Sequence, residues 1–477
     1  MITIAESPLE PGVIWAGTDD GNIQITRDGG TTWTNVSGNV PDLPAETWIA
    51  KIDASWHDAG TAYVAVDNHR LDDFTPHVYV SRDYGQSWED LSGSLPQDDY
   101  VKVVREDPRN PELLYLGMER GLFASWDAGR TWVDIRNNIP PVSVRDIKIQ
   151  QEYNDLVIGT HGRGAYILDD LTPLQELDRA VSAPTGTLFP VRVATRWQFN
   201  GRDGSLGQRT YAAPNPPRGA VLRYYLHGEG DAGVSLEIRD ALGQPVRTLT
   251  LRDAHAGVNQ TEWDLRYQGA TPVPGQPQGG GGFRFGGGGG PMAMPGTYIA
   301  VLQGEDWEFE QTFEVRGDPR VTMSLADYQA QFDALMKLRE MGSEMNTTIG
   351  TSASVGEQLA ELADVLLANG ERALAQEASD VKLAVDSVEA EYLRRPPPRM
   401  GYRQRPRVSE EIRSLTGRIG SGDVPPTVAQ LERLDQLEGE LREAVDAFQL
   451  LIDTRVRELN DKLGDYPRVM TGPRVIS

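Results

Sequence analysis

Over roughly the first 180 residues, apolar positions come in short alternating runs, and Gly, Pro, Asp and Asn punctuate them. Residues 101–106, 113–118, 122–126 and 131–135 are rich in Val, Leu, Tyr and Trp, with Asp107-Pro108 and Arg120-Gly121 between them. This pattern predicts four strands in about 45 residues, the size of one propeller blade. Residues 144–149, 156–159 and 165–168 predict three strands of a fourth unit around the turn His161-Gly162-Arg163-Gly164. Alternation resumes at 221–226, 234–238, 246–251, 260–265, 297–302 and 308–315, which fits a β-sandwich. Beyond Asp318-Pro319 the period becomes helical. Ser324 and Asp327 resemble a capping box, a second helix is expected over 355–393, the Pro- and Arg-rich run 394–407 breaks it, and Thr427 caps a last long helix. These helices should form a hairpin or small bundle.

Three of the hairpins share the form S/T-x-D-x-G-x-T/S-W. The first carries Asp28, Gly30 and Trp33, the second Asp83, Gly85 and Trp88, and the third Asp127, Gly129 and Trp132. Each residue type has a structural job. The Asp accepts backbone N–H groups across the turn. The Gly takes an angle that a Cβ resists. The Trp is expected to return into the sheet and bury a large apolar surface.

These hairpins resemble the Asp-box, or BNR, repeats of sialidases, sortilin-type receptors and xyloglucanase-like hydrolases. The phrases SPLEPGVIWAGTDDGNIQITRDGGTTW, EDPRNPELLYLGMERGLF and GTHGRGAYILDDLTPL are similar to the large bacterial sortilin-like or BNR-repeat glycosyl hydrolase proteins. VSLEIRDALGQPVRTL, GVNQTEWDLRY and PGTYIAVL resemble a FlgD-type Ig-like domain. The fold class expected is mainly β with an α tail: an incomplete Asp-box β-propeller of about four blades, an Ig-like β-sandwich, and a C-terminal helical hairpin or bundle. Residues 1–178 are assigned to the blades, 179–218 to a connector, 219–317 to the sandwich with a Gly-rich loop at 272–295, 318–465 to the helical tail, and 466–477 to a terminal extension. Met1 begins directly on an inner strand, so the blades are expected to be part of a truncated or split propeller, with the missing propeller half as one partner. The resemblance implies an extracytoplasmic location, although the N-terminus shows no signal peptide.

Composition narrows the partners. The net charge of −24 disfavours nucleic acid and anionic membrane surfaces, and no apolar stretch is long enough to span a bilayer. With no cysteine there are no disulfides or thiolate metal sites. No cofactor motif appears, and GGGGFRFGGGGG lacks the Lys-Ser/Thr ending of a phosphate loop. His69 and His77 with Asp72 and Asp73 match no standard metal signature.

Connections in a four-stranded blade alternate between two faces, so the turns between second and third strands gather on the rim opposite the boxes. There they place Asp20, Asp67 and Glu119 as candidate catalytic carboxylates, and Asp19, His69, Arg70, Arg120, His161 and Arg163 as candidate ligand-binding groups. Two readings follow: a glycan or peptide is held on the rim, or two of the carboxylates hydrolyse a glycoside, which needs them facing each other across the sugar. A sialidase set of Tyr, Glu and three arginines is not assignable. Tyr84, Trp126 and Phe74 are aromatics suited to sugar stacking, but ordinary inter-blade packing is the preferred explanation for each.

Overall fold

The computed structural model describes residues 1–472 apart from 45, 199–214, 216, 229–232, 252, 275–288 and 397–403. Two compact units are present. One comprises Met1–Phe189, Tyr224–Gly228 and Ala256–Val258, the other Pro190–Arg223, Glu229–His255 and Asn259–Ser477.

The first unit is a series of propeller blades. Thr3–Glu6, Ile14–Gly17, Ile23–Thr26 and Thr34–Asn35 form the first antiparallel sheet, with neighbours in chain order. Ile49–Ala54, Ala62–Val66, His77–Ser81 and Glu89–Asp90 form the second; Val101–Glu106, Leu114–Met118, Leu122–Ser125 and Val133–Asp134 form the third. The fourth has three strands, Val144–Gln150, Asp155–Thr160 and Ala165–Leu168. The molecule is thus mainly β with a helical tail, as the hydropathy pattern predicts. Among the described residues no strand of the first blade pairs with a strand of the fourth.

The boxes fold alike. Asp28 accepts from the Thr32 N–H at 2.8 Å and the Thr32 hydroxyl at 2.7 Å, and Thr26 bonds the same carboxylate. Asp83 does this with Ser87 and Ser81, and Asp127 with Thr131 and Ser125. The box glycines have φ of +91°, +84° and +91°, which a residue with a Cβ adopts only under strain. The residue before each, Gly29, Tyr84 or Ala128, has φ of 58–69°, the left-handed well that other residues reach at modest cost.

Blades pack face to face through these boxes. Trp88 meets Trp15 of the first blade edge-on, with centroids 6.0 Å apart. Trp132 donates its indole N–H to the Leu91 carbonyl of the second blade at 2.9 Å. Both indoles are buried, as expected. Trp33 departs from that expectation. It is 43% exposed, because burial of a box Trp depends on the preceding blade's outer segment, and nothing among the described residues supplies one here.

The second unit contains the five-stranded sheet in the order Ala194–Arg196, Glu308–Gly317, Gly296–Gln303, Ser235–Asp240 and Pro245–Thr250. The first of these strands comes from the segment expected to be a connector. Trp263 packs on Tyr298 and Phe313 at the core of this sandwich. Residues 275–288 of the Gly-rich loop, with Phe283, Arg284 and Phe285, lie outside the described residues.

The helical region differs from the expectation in two respects. A single helix, Leu325–Ala368, replaces a break before 355, because buried Met341, Met345, Ile349, Val355 and Leu359 continue along it with no proline between them. The turn comes instead at Gly370, with φ +85°, before Arg372–Val388. Val408–Ile419 is an additional helix, and Val428–Leu451 follows it. The capping boxes at Ser324 and Thr427 are both formed. The described ends of the basic run face carboxylates: Arg394 meets Glu389 at 2.5 Å, and Glu410 accepts from the Arg407 N–H at 2.7 Å. No described helix is long and apolar enough to cross a membrane.

Candidate rim site

In the second, third and fourth blades the turn between second and third strands is tied to the start of the blade's own inner strand. Asp67 N–H donates to the Trp48 carbonyl at 3.0 Å, Glu119 N–H to Tyr100 at 3.1 Å, and His161 N–H to Ser143 at 2.9 Å. The three turns therefore share one rim with the segments that lead into the inner strands.

At the junction of the second and third blades the side chains converge on Lys102. This residue occupies the second position of the inner strand Val101–Glu106 and is 5% exposed. Its ammonium donates to Asp67 Oδ2 at 2.6 Å, stands 3.7 Å from Glu119 Oε2, and lies 4.1 Å from the centre of the Tyr100 ring. Asp67 Oδ1 is 2.5 Å from His69 Nδ1, and the His69 imidazole stacks on Tyr100 at 4.8 Å. Ser143, from the entrance of the fourth blade, donates to Glu119 Oε2 at 2.7 Å. Burial, then the Glu119 charge, push the Tyr100 hydroxyl up to about 12, so it stays a neutral donor at neutral pH. Phe74 meets Tyr100 edge-on at 6.0 Å and is 48% exposed. Arg70 covers the Trp48 ring at 4.2 Å.

Of the predicted groups, the structure brings Asp67, His69 and Glu119 together and leaves the others apart. Asp20 is engaged within its own turn, where Thr18 and then Asn22 donate to it and hold its carboxyl below the usual range. Asp19 is exposed beside it. Arg120 turns to the interblade segment, pairing with Asp98 at 2.9 Å and with Asp99. His161 and Arg163 are exposed on the fourth blade's turn. His69 and His77 face different carboxylates, Asp67 and Asp73 respectively. The described residues hold no cluster of three His, Asp or Glu able to bind a metal ion.

Two of the proposed stacking aromatics are packing contacts, one between blades and one to the helix Thr172–Gln175 that follows the fourth blade. Tyr84 donates to Glu10 at 3.0 Å beneath Arg27, and Trp126 donates its indole N–H to the Leu174 carbonyl. Sequence reading missed Lys102, Tyr100, Ser143 and Trp48. For Lys102 there was a signal, a cation flanked by Val101 and Val103 in an inner strand. A charge in that position needs a buried partner.

No family model matches the chain. Local similarity runs to two fungal proteins. An oligoxyloglucan-reducing end-specific xyloglucanase of Emericella nidulans is 32% identical over 90 residues, 19% of this chain and 10% of that protein. A probable enzyme of the same name from Neosartorya fischeri is 28% identical over 110 residues, 23% of this chain and 13% of that one. The matched parts are thus a small fraction of either relative. Among solved structures, the GH74 xyloglucanase from Xanthomonas campestris aligns with a TM-score of 0.28 at 12% identity, over 65% of this chain and 47% of that one. YCF48 bound to D1 peptide aligns with a TM-score of 0.25 at 11% identity, over 65% and 81%. At these scores the blade assignment rests on the strand order and the box geometry themselves.

Proposed function

We propose that this chain is an extracytoplasmic, sortilin-like BNR-repeat propeller protein that binds a glycan on the rim where its second and third blades meet. Phe74 offers an apolar face to a sugar ring, while Asp67, Glu119 and His69 present acceptors and donors for its hydroxyls. The local similarity to xyloglucanases favours a glycan over a peptide. The FlgD-type Ig-like sandwich and the helical tail serve in this reading as spacer and packing modules.

One observation favours binding over hydrolysis. Lys102 Nζ stands between the two rim carboxylates, 2.6 Å from Asp67 and 3.7 Å from Glu119. A glycosidase pair needs that space for the scissile bond and its water. The alternative reading, a glycoside hydrolase or the remnant of one using Asp67 and Glu119, draws on the same local similarity.

Isothermal titration with xyloglucan oligosaccharides, run beside a reducing-end release assay, tests the proposal. Binding is expected, weakened at least tenfold by Phe74→Ala, with no sugar release. Release abolished by Asp67→Asn or Glu119→Gln replaces binding with hydrolysis. Absence of both binding and release rejects the glycan.

A further inference from the structure

Strand registers give each blade position an equivalent in the other blades. Ile4, Ile52, Val104 and Ile147 pair with Ala16, Val64, Leu116 and Ile158, so they occupy one position on the blade face directed at the preceding blade. Ile52, Val104 and Ile147 are buried at 2%, 0% and 0%, whereas Ile4 is 58% exposed. The box tryptophans repeat this contrast, with Trp88 and Trp132 at 9% and 8% and Trp33 at 43%. A residue on the preceding blade covers each later box glycine. A Cβ on Gly85 would strike Val36, and one on Gly129 would strike Leu91, but one on Gly30 would meet only its own Trp33. At Ile4, Gly30 and Trp33 the first blade thus leaves open positions that the later blades have covered, with Gln24 standing where those blades carry Tyr79 and Phe123.

The opposite face has its own free end. Trp15, Tyr63, Tyr115 and Val157 pair with Ile25, Val80, Ala124 and Ile167, which places them on the face directed at the following blade. Ile25, Val80 and Ala124 are buried, and Ile167 is 61% exposed. One charge of each sign stands on the free faces: exposed Glu6 lies on the face of Ile4, and exposed Lys148, paired with Val157, on the face of Ile167. Internal junctions already use such pairs, with Lys102 on Asp67 and Arg105 on Asp53.

We propose that two copies of this chain join head to tail, the first blade of each taking the fourth blade of the other, with Ile4 and Trp33 packed against Val157 and Ile167. A heterologous contact of this kind closes when the rotation permits. Two copies of four blades give eight, within the range that propellers adopt. Among the described residues the fourth blade has no outermost strand to supply a counterpart of Val36 or Leu91, so Ile167 would serve at Trp33.

Sedimentation equilibrium on the full chain tests this. The expected mass is that of two chains, falling to one with Ile4→Glu or with Ile167→Lys. Both residues are exposed in the single chain, so circular dichroism should stay unchanged. Mixing the two variants should restore the dimer, because one junction is then native and the other pairs Glu with Lys. Leu383→Glu, on an exposed helical position, should leave the dimer intact. A single-chain mass for the native protein at tens of micromolar, or a dimer that survives both substitutions, overturns the proposal.

Discussion

Lys102 of the third blade donates to Asp67 of the second at 2.6 Å, with the two side chains only 4% and 9% exposed. Removing one member of such a pair leaves an uncompensated buried charge, whereas removing both does not. Lys102→Met should therefore cost about 3–5 kcal/mol of stability by urea unfolding. The double variant Lys102→Met with Asp67→Leu should be closer to the native protein than Lys102→Met alone. Equal loss in both would show that the pair is not energetically coupled.

The boxes predict an acid limit. Hydrogen bonds from the Thr32 backbone and then its hydroxyl lower the Asp28 carboxyl to about 2, and those from Ser87 lower Asp83. The unfolded value for Asp is about 3.9. A folded pKa below the unfolded one gives stability that is fully present above about pH 4 and is lost as pH falls through about 2. Tryptophan near-UV dichroism should follow the loss, and Asp28→Asn should flatten that part of the profile. An unchanged acid profile in the variant would remove Asp28 from the account.

The box glycines should not be equivalent. Gly30→Ala should cost about 1–2 kcal/mol, the strain of a left-handed backbone angle alone. Gly129→Ala adds a clash, since its Cβ would lie 2.7 Å from Leu91, and overpacking typically adds about 1–3 kcal/mol. Denaturant midpoints for the two variants decide this, and equal midpoints would mean that Leu91 moves aside freely.

The second unit has its own buried ion pair. Arg196, from a sandwich strand, meets Asp423 at 2.5 Å, with side chains 3% and 2% exposed, and the Tyr328 ring lies 4.7 Å from the guanidinium. Asp423→Ala should destabilise by about 3–5 kcal/mol, and Arg196→Met with Asp423→Leu should recover most of it. Calorimetry of the full chain reads both, and a neutral Asp423→Ala would refute the pairing's importance.

The rim shows how far a linear reading reaches. Asp67, His69 and Glu119 were singled out because turns of successive blades must share a rim, and they do converge. Asp20 and Arg120 sit in equivalent turns but are claimed by neighbours, Asn22 for one and Asp98 for the other. Which carboxylate is engaged within its own turn and which reaches the neighbouring blade depends on side-chain reach, and residue type alone does not carry that.

Sequence by itself determined what short-range chemistry controls. The box turns, the capping boxes at Ser324 and Thr427, and the alternating strands each depend on residues within about one turn or one strand of each other. Only the tertiary structure decided what depends on a distant face. Lys102 lies between Asp67 and Glu119, and Arg196 finds Asp423 across a separation of 227 residues. Identical box tryptophans are buried at 88 and 132 and exposed at 33. A box motif folds its own hairpin, but burial of its indole needs the apolar segment of another blade, and that partner is not written in the motif.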